Sequence, residues 1–387
     1  MISRSILLTL FCLYLTSVAS AVVLFDGREG SSPADQGWAY FTNPLLGADA
    51  TREFVGDALR LDTTVDISEQ AGYFSKIPVL FEHPRMPNLD LAIGPIDISF
   101  TLRQMEGIDF ADSDPDASGE RNRGGFAVIA IGEDLGGIEL QFQHDRIISL
   151  DNSSTAFPVG EQVAFDTSRW TTFELQLESD GYRVVVEDEV LVSGSLRDYS
   201  DIAPSPPFGF PYQTPSFLFF GDNTGRAGAI TELRDFTVML EGDCDDNGVF
   251  EQSDLNCVGT TEERDVVLGA LDLRLGDLNS DGAVNFADFL ILSANFSQTG
   301  KGYGEGNLDL DGMGEVAFTD FLLFSANFGF ETISDSNSNS AIQNVPEPSS
   351  LVVCCELFLL CMCGDRTRLR HRHLKAKFGG NKWKTNP

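Results

Sequence analysis

The sequence predicts an all-β jelly-roll sandwich followed by a small α domain. Three observations predict it. From 22 to 240, short alternating or apolar runs recur between Gly, Asp, Asn and Pro turn signals, and no convincing long helix interrupts them. From 241 to 330, Asp-Gly loops alternate with short apolar stretches of helical character. Within that region the chain also repeats itself. "DLNSDGAVNFADFLILSANFS" (Asp277–Ser297) returns, identical at more than half its positions, as "DLDGMGEVAFTDFLLFSANFG" (Asp309–Gly329).

The strand-like runs follow one another in order. They begin with "AVVLF", "GYFSKIPVLF" and "IDISFTLRQ", continue through "GFAVIAIG", "GIELQFQ" and "RIISLD", and then "WTTFELQLE", "YRVVVED" and "EVLVSGSL". They end with "SFLFFG" and "ITELRDFTVML". Ten or more strands over roughly 220 residues suffice for a two-sheet jelly roll with a full core. The later part, "RWTTFELQLESDGYRVVVEDEVLVSGSLRDYS" (Arg169–Ser200) and then "PSFLFFGDNTGRAGAITELRDFTV" (Pro215–Val238), resembles concanavalin-A-like (LamG-like) sandwich domains of exported bacterial proteins. A Trp starts one strand, a Tyr opens the next, a hairpin follows, and "GDNTG" leads into the last strand.

Both ends read as targeting segments. Residues 1–21, "MISRSILLTLFCLYLTSVASA", have one charge, an apolar core and an A-x-A end, which predicts a cleaved secretory signal. The core is too short for a spanning helix. Residues 346–387 open with Pro346, Glu347 and Pro348. An apolar stretch Leu351–Cys363 follows, then a cluster Arg366, Arg368, Arg370 and Arg372. This order resembles the PEP-CTERM sorting signal, and the resemblance implies processing by an exosortase-type enzyme. A short tail anchor with a positive flank, or a buried helix, is the alternative. Residues 331–345, rich in Ser and Asn, read as a linker. The expected destination is the cell surface or outside, with transient membrane attachment through the C-terminal segment.

The formal net charge of -33 argues against nucleic acid as a partner. It suits an exported chain that collects divalent cations. Of seven cysteines, only Cys244 and Cys257 lie outside the two targeting segments, and in an exported chain a disulfide between them is plausible.

Asp277–Asp288 fits a twelve-residue calcium loop. Asp277, Asn279 and Asp281 supply oxygens at positions 1, 3 and 5. Gly282 makes the turn at position 6, and Ala283 offers its carbonyl at position 7. Asn285 stands at position 9 and Asp288 closes the site at position 12. In the second loop, Asp309, Asp311, Glu315 (through its carbonyl) and Asp320 take positions 1, 3, 7 and 12. Met313 at position 5 is a poor ligand for a hard cation, so this site is expected to be weaker. A third loop, Asp243–Asp254, offers Asp243, Asp245, Asn247, the Val249 carbonyl, Glu251 and Asp254 at positions 1, 3, 5, 7, 9 and 12.

Asp at position 12 and a helix that follows the loop resemble dockerin type I repeats more than paired EF-hands. The resemblance implies Ca2+ as cofactor and two loop-helix units packed on each other. Phe286, Phe289, Leu290 and Leu292, with Phe318, Phe321, Leu322 and Phe324, are expected to form that core. It also implies a cohesin-like partner. Such modules generally carry polar contact residues at positions 10 and 11, whereas position 10 here is Phe286 or Phe318. That partner is therefore disfavoured and an intramolecular role expected.

Weaker candidates remain. "DFADSDPDASGERNRGG" (Asp109–Gly125) reads as a further calcium or ligand loop on the sandwich rim or as a plain solvated loop, and "GDNTG" (Gly221–Gly225) as an oxygen donor to a metal at the sandwich edge or as a plain turn. Trp38, Tyr40, Phe208 and Tyr212 stand where exposed aromatics would stack sugars, with a core role for Trp38 and Trp170 as the alternative. The paired-carboxylate strand motif of related glycoside hydrolases and G-x-S-x-G are absent, and His83 and His144 are the only histidines outside the tail. The sequence therefore points to an exported calcium-binding surface or matrix protein, non-catalytic, whose sandwich binds polysaccharide or the cell envelope. A polysaccharide-degrading enzyme with a docking module is the alternative.

Overall fold

The strand rhythm resolves into two eight-stranded antiparallel sheets and a two-stranded ribbon. The computed structural model describes residues 21–42, 50–65, 70–109, 124–152, 157–202, 211–224 and 227–331. The signal, most of the linker, the C-terminal segment, Phe208 and most of the Asp109–Gly125 stretch lie outside them. The chain divides into two compact units, Met1–Val249 and Phe250–Pro387.

In the first sheet Ala227–Leu240 runs antiparallel to Ile96–Asp109 along its whole length. Thr171–Glu178, Gly181–Val186 and Glu189–Gly194 extend this pair on one side, Ala58–Asp62 and Thr51–Val55 on the other, and Val22–Asp26 pairs with the end of Ala227–Leu240. The second sheet is ordered Val159–Ala164, Arg146–Leu150, Gly136–Gln143, Phe126–Ile131, Phe217–Asp222, Ala71–Phe74, Ala39–Thr42, and its eighth strand, Arg197–Asp198, pairs with the start of Gly136–Gln143. Alternate residues of the two sheets meet in an aromatic core. Phe142 lies 5.8 Å from Phe100 and 5.2 Å from Phe173 between ring centroids, and Trp38 lies 4.6 Å from Phe220. Such ring pairs add to the burial energy of their area.

Two features explain runs that do not alternate. Phe126–Ile131 is buried at every residue, because its outward-facing Ala127, Ile129 and Ile131 lie under Tyr199 and Tyr212. A strand covered on both faces reads as continuous apolar sequence. On the other sheet a row of alternating charge crosses four strands, from Glu53 through Arg60 and Glu232 to Arg103. Each of these two guanidiniums meets one oxygen of Glu232 through two nitrogens, at 2.6–2.9 Å.

The second unit carries three ten-residue helices, α1 (Thr261–Ala270), α2 (Phe286–Asn295) and α3 (Phe318–Asn327). Phe289, Leu292, Phe321 and Phe324 are buried between the repeats, as expected. Phe286, Leu290, Phe318 and Leu322 are not: they stand 48–56% exposed. The reason is helical geometry. Residues 286 and 290 lie about 110° round the helix from 289 and 292, outside a single buried stripe. The repeats also exchange backbone bonds. Val284 donates to the Phe330 carbonyl at 2.8 Å and accepts from Gly329 at 2.7 Å, while Val316 donates to Gln298 at 2.9 Å and accepts from Ser297 at 2.7 Å.

Candidate metal centre

The first loop winds so that side-chain oxygens catch its own amides and converge. Ser280 and Gly282 take left-handed φ values of 57° and 85°. Asp277 Oδ2 accepts the Gly282 N–H at 2.9 Å, Asn279 Oδ1 that of Asp281 at 3.0 Å, and Asp281 Oδ1 that of Ala283 at 3.0 Å. The fully buried Asp288 closes the loop. One oxygen accepts from Leu278 and Asn279 at 2.9 and 3.1 Å, the other from Asn285 at 2.9 Å. Carboxylate oxygens of Asp277, Asp281 and Asp288 thereby come within 4.8 Å of one another. Burial pushes the Asp277 carboxyl above its ordinary range, and the charges of Asp288 and Asp281 add to this. A divalent cation would relieve that penalty.

The Asp243–Asp254 loop straddles the two units, and each half repeats the pattern. In the first half Gly248 donates to Asp243 at 2.8 Å, Asn247 to Asp245 at 3.2 Å and Val249 to Asn247 at 2.8 Å. Asp246 and Gly248 are left-handed at positions 4 and 6, as Ser280 and Gly282 are. In the second half Glu251 donates to Asp254 at 2.8 Å. Cys244 and Cys257 are both disulfide-bonded.

The Asp309–Asp320 loop is wound differently. Its left-handed residues are Leu310 and Gly314, at positions 2 and 6. The amide at position 7, Glu315, donates to Asp311 at position 3, at 2.8 Å. In the other loops that amide is caught by position 5, but Met313 has no oxygen there. Asp320 accepts from Leu308 and Asp309 at 2.6 and 3.0 Å, the amides that correspond to Gly276 and Asp277 in the first repeat. Thr319 hydrogen-bonds Asp309. Among the described residues, Asp309, Asp311 and Asp320 form no group like that of Asp277, Asp281 and Asp288.

Several sequence candidates fall elsewhere. Trp38 is 2% exposed and its indole N–H donates to the Leu24 carbonyl at 3.0 Å, so it is a core residue. Tyr212 is also buried, with its hydroxyl bonded to Glu139. Neither offers a face to a sugar. Trp170 is half-buried under the guanidiniums of Arg234 and Arg103, 3.9 and 4.7 Å from the ring. His83 is buried and His144 exposed. The sequence reading missed Tyr303 and Arg264, buried polar groups beside the repeat loops. The isolated Tyr in "KGYGEG" was the one available signal for the first.

Residues 275–328 match the family model of the Dockerin type I domain. Dockerin type I domains bind calcium, and the hard, oxygen-only donors of this region fit it. Calcium is thus the metal this region takes. No curated protein matches the chain in sequence. In structure, the chain is similar to a carbohydrate esterase from Shiga toxin-encoding bacteriophage phi24B. That match has 13% identity and a TM-score of 0.38, over 57% of this chain and 98% of that one. It is similar to a carbohydrate binding module from Bacillus subtilis at 9% identity and a TM-score of 0.29, over 53% and 96%. A Bacillus subtilis protein of unknown function with a galectin-like fold matches at 11% and 0.32, over 56% and 96%. No helix among the described residues is long and apolar enough to cross a membrane.

Proposed function

We propose that this is an exported calcium-binding surface or matrix protein. Its sandwich is a non-catalytic, concanavalin-A-like (LamG-like) head for extracellular polysaccharide or the cell envelope. Its dockerin region is a metal-stiffened support, and its ends are a secretory signal and an exosortase-processed sorting segment. The observation that carries the reading is the convergence of Asp277, Asp281 and Asp288 inside the dockerin match. In the first loop Asn279, the Ala283 carbonyl and Asn285 complete the donor set. Asp243, Asp245, Asn247, the Val249 carbonyl, Glu251 and Asp254 form a further site, and Asp309, Asp311, the Glu315 carbonyl and Asp320 the weak one.

Bound calcium neutralises the crowded carboxylates, so its binding free energy becomes folding free energy of this region. Affinities of about 10⁻⁴–10⁻³ M suit extracellular modules. Calorimetric titration of the full chain with calcium, repeated with candidate glycans, tests the reading. Saturable calcium uptake and heat on glycan addition are expected. Absence of calcium uptake sinks the metal part. Release of reducing sugar from a polysaccharide sinks the non-catalytic part and favours the enzyme reading.

One observation favours a second reading, a protein partner for the dockerin region. Phe286 with Leu290, and Phe318 with Leu322, place matching apolar pairs in solvent on the two repeats. A cohesin-type partner would then meet an apolar surface in place of the usual polar one. Charged substitution at all four positions removes such a partner and leaves calcium uptake unchanged.

A further inference from the structure

The two repeat loops are each gripped just ahead of their first ligand by a side chain from outside the loop. At the first, the Tyr303 hydroxyl accepts the Gly276 N–H at 3.1 Å and donates to the Arg274 carbonyl at 3.2 Å. Asp277 follows directly. Tyr303 is 1% exposed and comes from the short turn Tyr303–Glu305 between the repeats. Gly276 itself has φ 104° and lies against Val284 and Phe324, so this stretch has little room to shift. At the second loop, Arg264 of α1 donates through Nη1 to the Leu308 carbonyl at 2.8 Å. Leu308 precedes Asp309, and its own N–H is held by Asp320. Arg264 is 5% exposed and lies outside the segment matched as a dockerin domain.

The two grips are equivalent in place and different in chemistry. Leu308 occupies in the second repeat the place that Gly276 occupies in the first. Gly276 presents an N–H, and a hydroxyl meets it. Leu308 has committed its N–H to Asp320, and a guanidinium meets the carbonyl that is left. Neither Tyr303 nor Arg264 is among the proposed calcium donors. Burial pushes the Tyr303 hydroxyl pKa well up, so it remains a donor at any ordinary pH.

We infer that Tyr303 is a positioning residue for the first calcium loop and Arg264 its counterpart for the second, each setting the calcium affinity of its own loop. The inference rests on the calcium reading above. A loop whose first ligand is free to move must order it on binding, and the cost appears as weaker affinity. Loss of the two hydroxyl bonds corresponds to about a tenfold weakening.

The position-6 glycines report each loop separately. Their amides, Gly282 and Gly314, are followed by NMR in the glycine-labelled full chain during calcium titration. In Tyr303→Phe the Gly282 midpoint is expected to rise about tenfold, with Gly314 within about twofold of the unmodified chain. In Arg264→Met the pattern is reversed, and Arg264→Lys, which still offers an N–H to Leu308, restores much of the Gly314 affinity. A merely structural role would move both glycines together. Movement together in either variant overturns the inference, as does an unchanged Gly282 midpoint in Tyr303→Phe. Absence of any response in the unmodified chain up to about 10 mM calcium, above the range of such modules, is a different failure. It overturns the calcium reading and the positioning with it.

Discussion

Asp288 holds two roles that substitution can separate. Its carboxylate accepts three backbone N–H groups, of Leu278, Asn279 and Asn285, while wholly buried. It also stands among the proposed calcium donors. In Asp288→Asn one oxygen becomes an NH2 group facing an N–H, so at least one buried donor loses its acceptor. Hydrogen bonds to a charged acceptor contribute about 1.5–3 kcal/mol, and a helix cap about 1 kcal/mol more. The expected loss is about 2–4 kcal/mol even without calcium, which lowers the melting temperature of a unit this size by roughly 10 °C or more.

Asp281 provides the contrast. It is exposed, and its carboxylate accepts from the Ala283 amide and from the Asn279 side chain. The side-chain oxygen left by Asp281→Asn retains the bond to Ala283. That substitution is expected to leave the chelated protein within about 0.5 kcal/mol, as surface changes usually do. With calcium present it loses the stabilisation that ligand binding supplies. The assay is scanning calorimetry of the full chain in excess chelator and again in millimolar calcium. An Asp288→Asn protein that melts in chelator with the unmodified one would refute the reasoning, because the three bonds would then be worth nothing without the ion.

Two further predictions concern the sandwich. Glu232→Ala removes the buried acid shared by Arg60 and Arg103, while Arg60 keeps Glu53 and both guanidiniums reach solvent; a loss of about 1.5–3 kcal/mol by chemical denaturation is expected, with a change in Trp170 fluorescence as Arg103 shifts over the ring. The pH dependence comes from an opposed pair. Burial, chiefly, holds the His83 imidazole down to about 4 from 6.5, whereas burial and then the charges of Glu174 and Glu241 raise the Asp97 carboxyl to about 6. Neutral His83 supports the fold above pH 6.5 and that support is lost as pH falls through 4; Asp97 favours the fold below 3.8 and that contribution is lost as pH rises through 6. Each spans about 3 kcal/mol, less what solvent screens at the half-buried Asp97. As the pH falls from 6.5 to 4, a His83→Gln protein should therefore gain stability relative to the unmodified chain, and an Asp97→Asn protein should lose the advantage it holds at the higher pH. Parallel denaturation curves for all three across this range would contradict the assignment.

The sheets were legible in the sequence because their period is local. "FELQLE" alternates, and Phe173, Leu175 and Leu177 are indeed the buried members. "FAVIAI" does not alternate, and its outer cover is contributed by Tyr199 and Tyr212 from far along the chain, which no local pattern announces. For the same reason Trp38 and Tyr212 looked available for sugar. Their surroundings are polar in sequence, but their rings are covered by residues remote in the chain. In the dockerin region the loops were legible because the ligand spacing is local. The split between buried Phe289 and exposed Phe286 was not, since both are equally apolar and only the packing angle of α2 against α3 separates them.

The repeat teaches a sharper lesson about what sequence identity carries. The segments that begin at Asp277 and Asp309 agree at more than half their positions, whereas Asp243–Asp254 shares little with either beyond its acids, position-6 glycine and spacing. Conformation groups them the other way. The 243 and 277 loops share left-handed residues at positions 4 and 6 and the same bonds from backbone amides to side-chain oxygens, half by half. The 309 loop departs from both. The lost bond points to one side chain. The amide at position 7 needs an acceptor, and without an oxygen at Met313 it takes Asp311. The strand of loop before it then rewinds, and Asp320 closes on Leu308 and Asp309. Met313→Asp restores the acceptor. It should return Glu315 to position 5, free Asp311 for the ion and bring the Gly314 calcium midpoint toward that of Gly282. A Gly314 midpoint that stays where it was would mean that the rewound loop is fixed by Arg264 and Thr319 rather than by the missing oxygen.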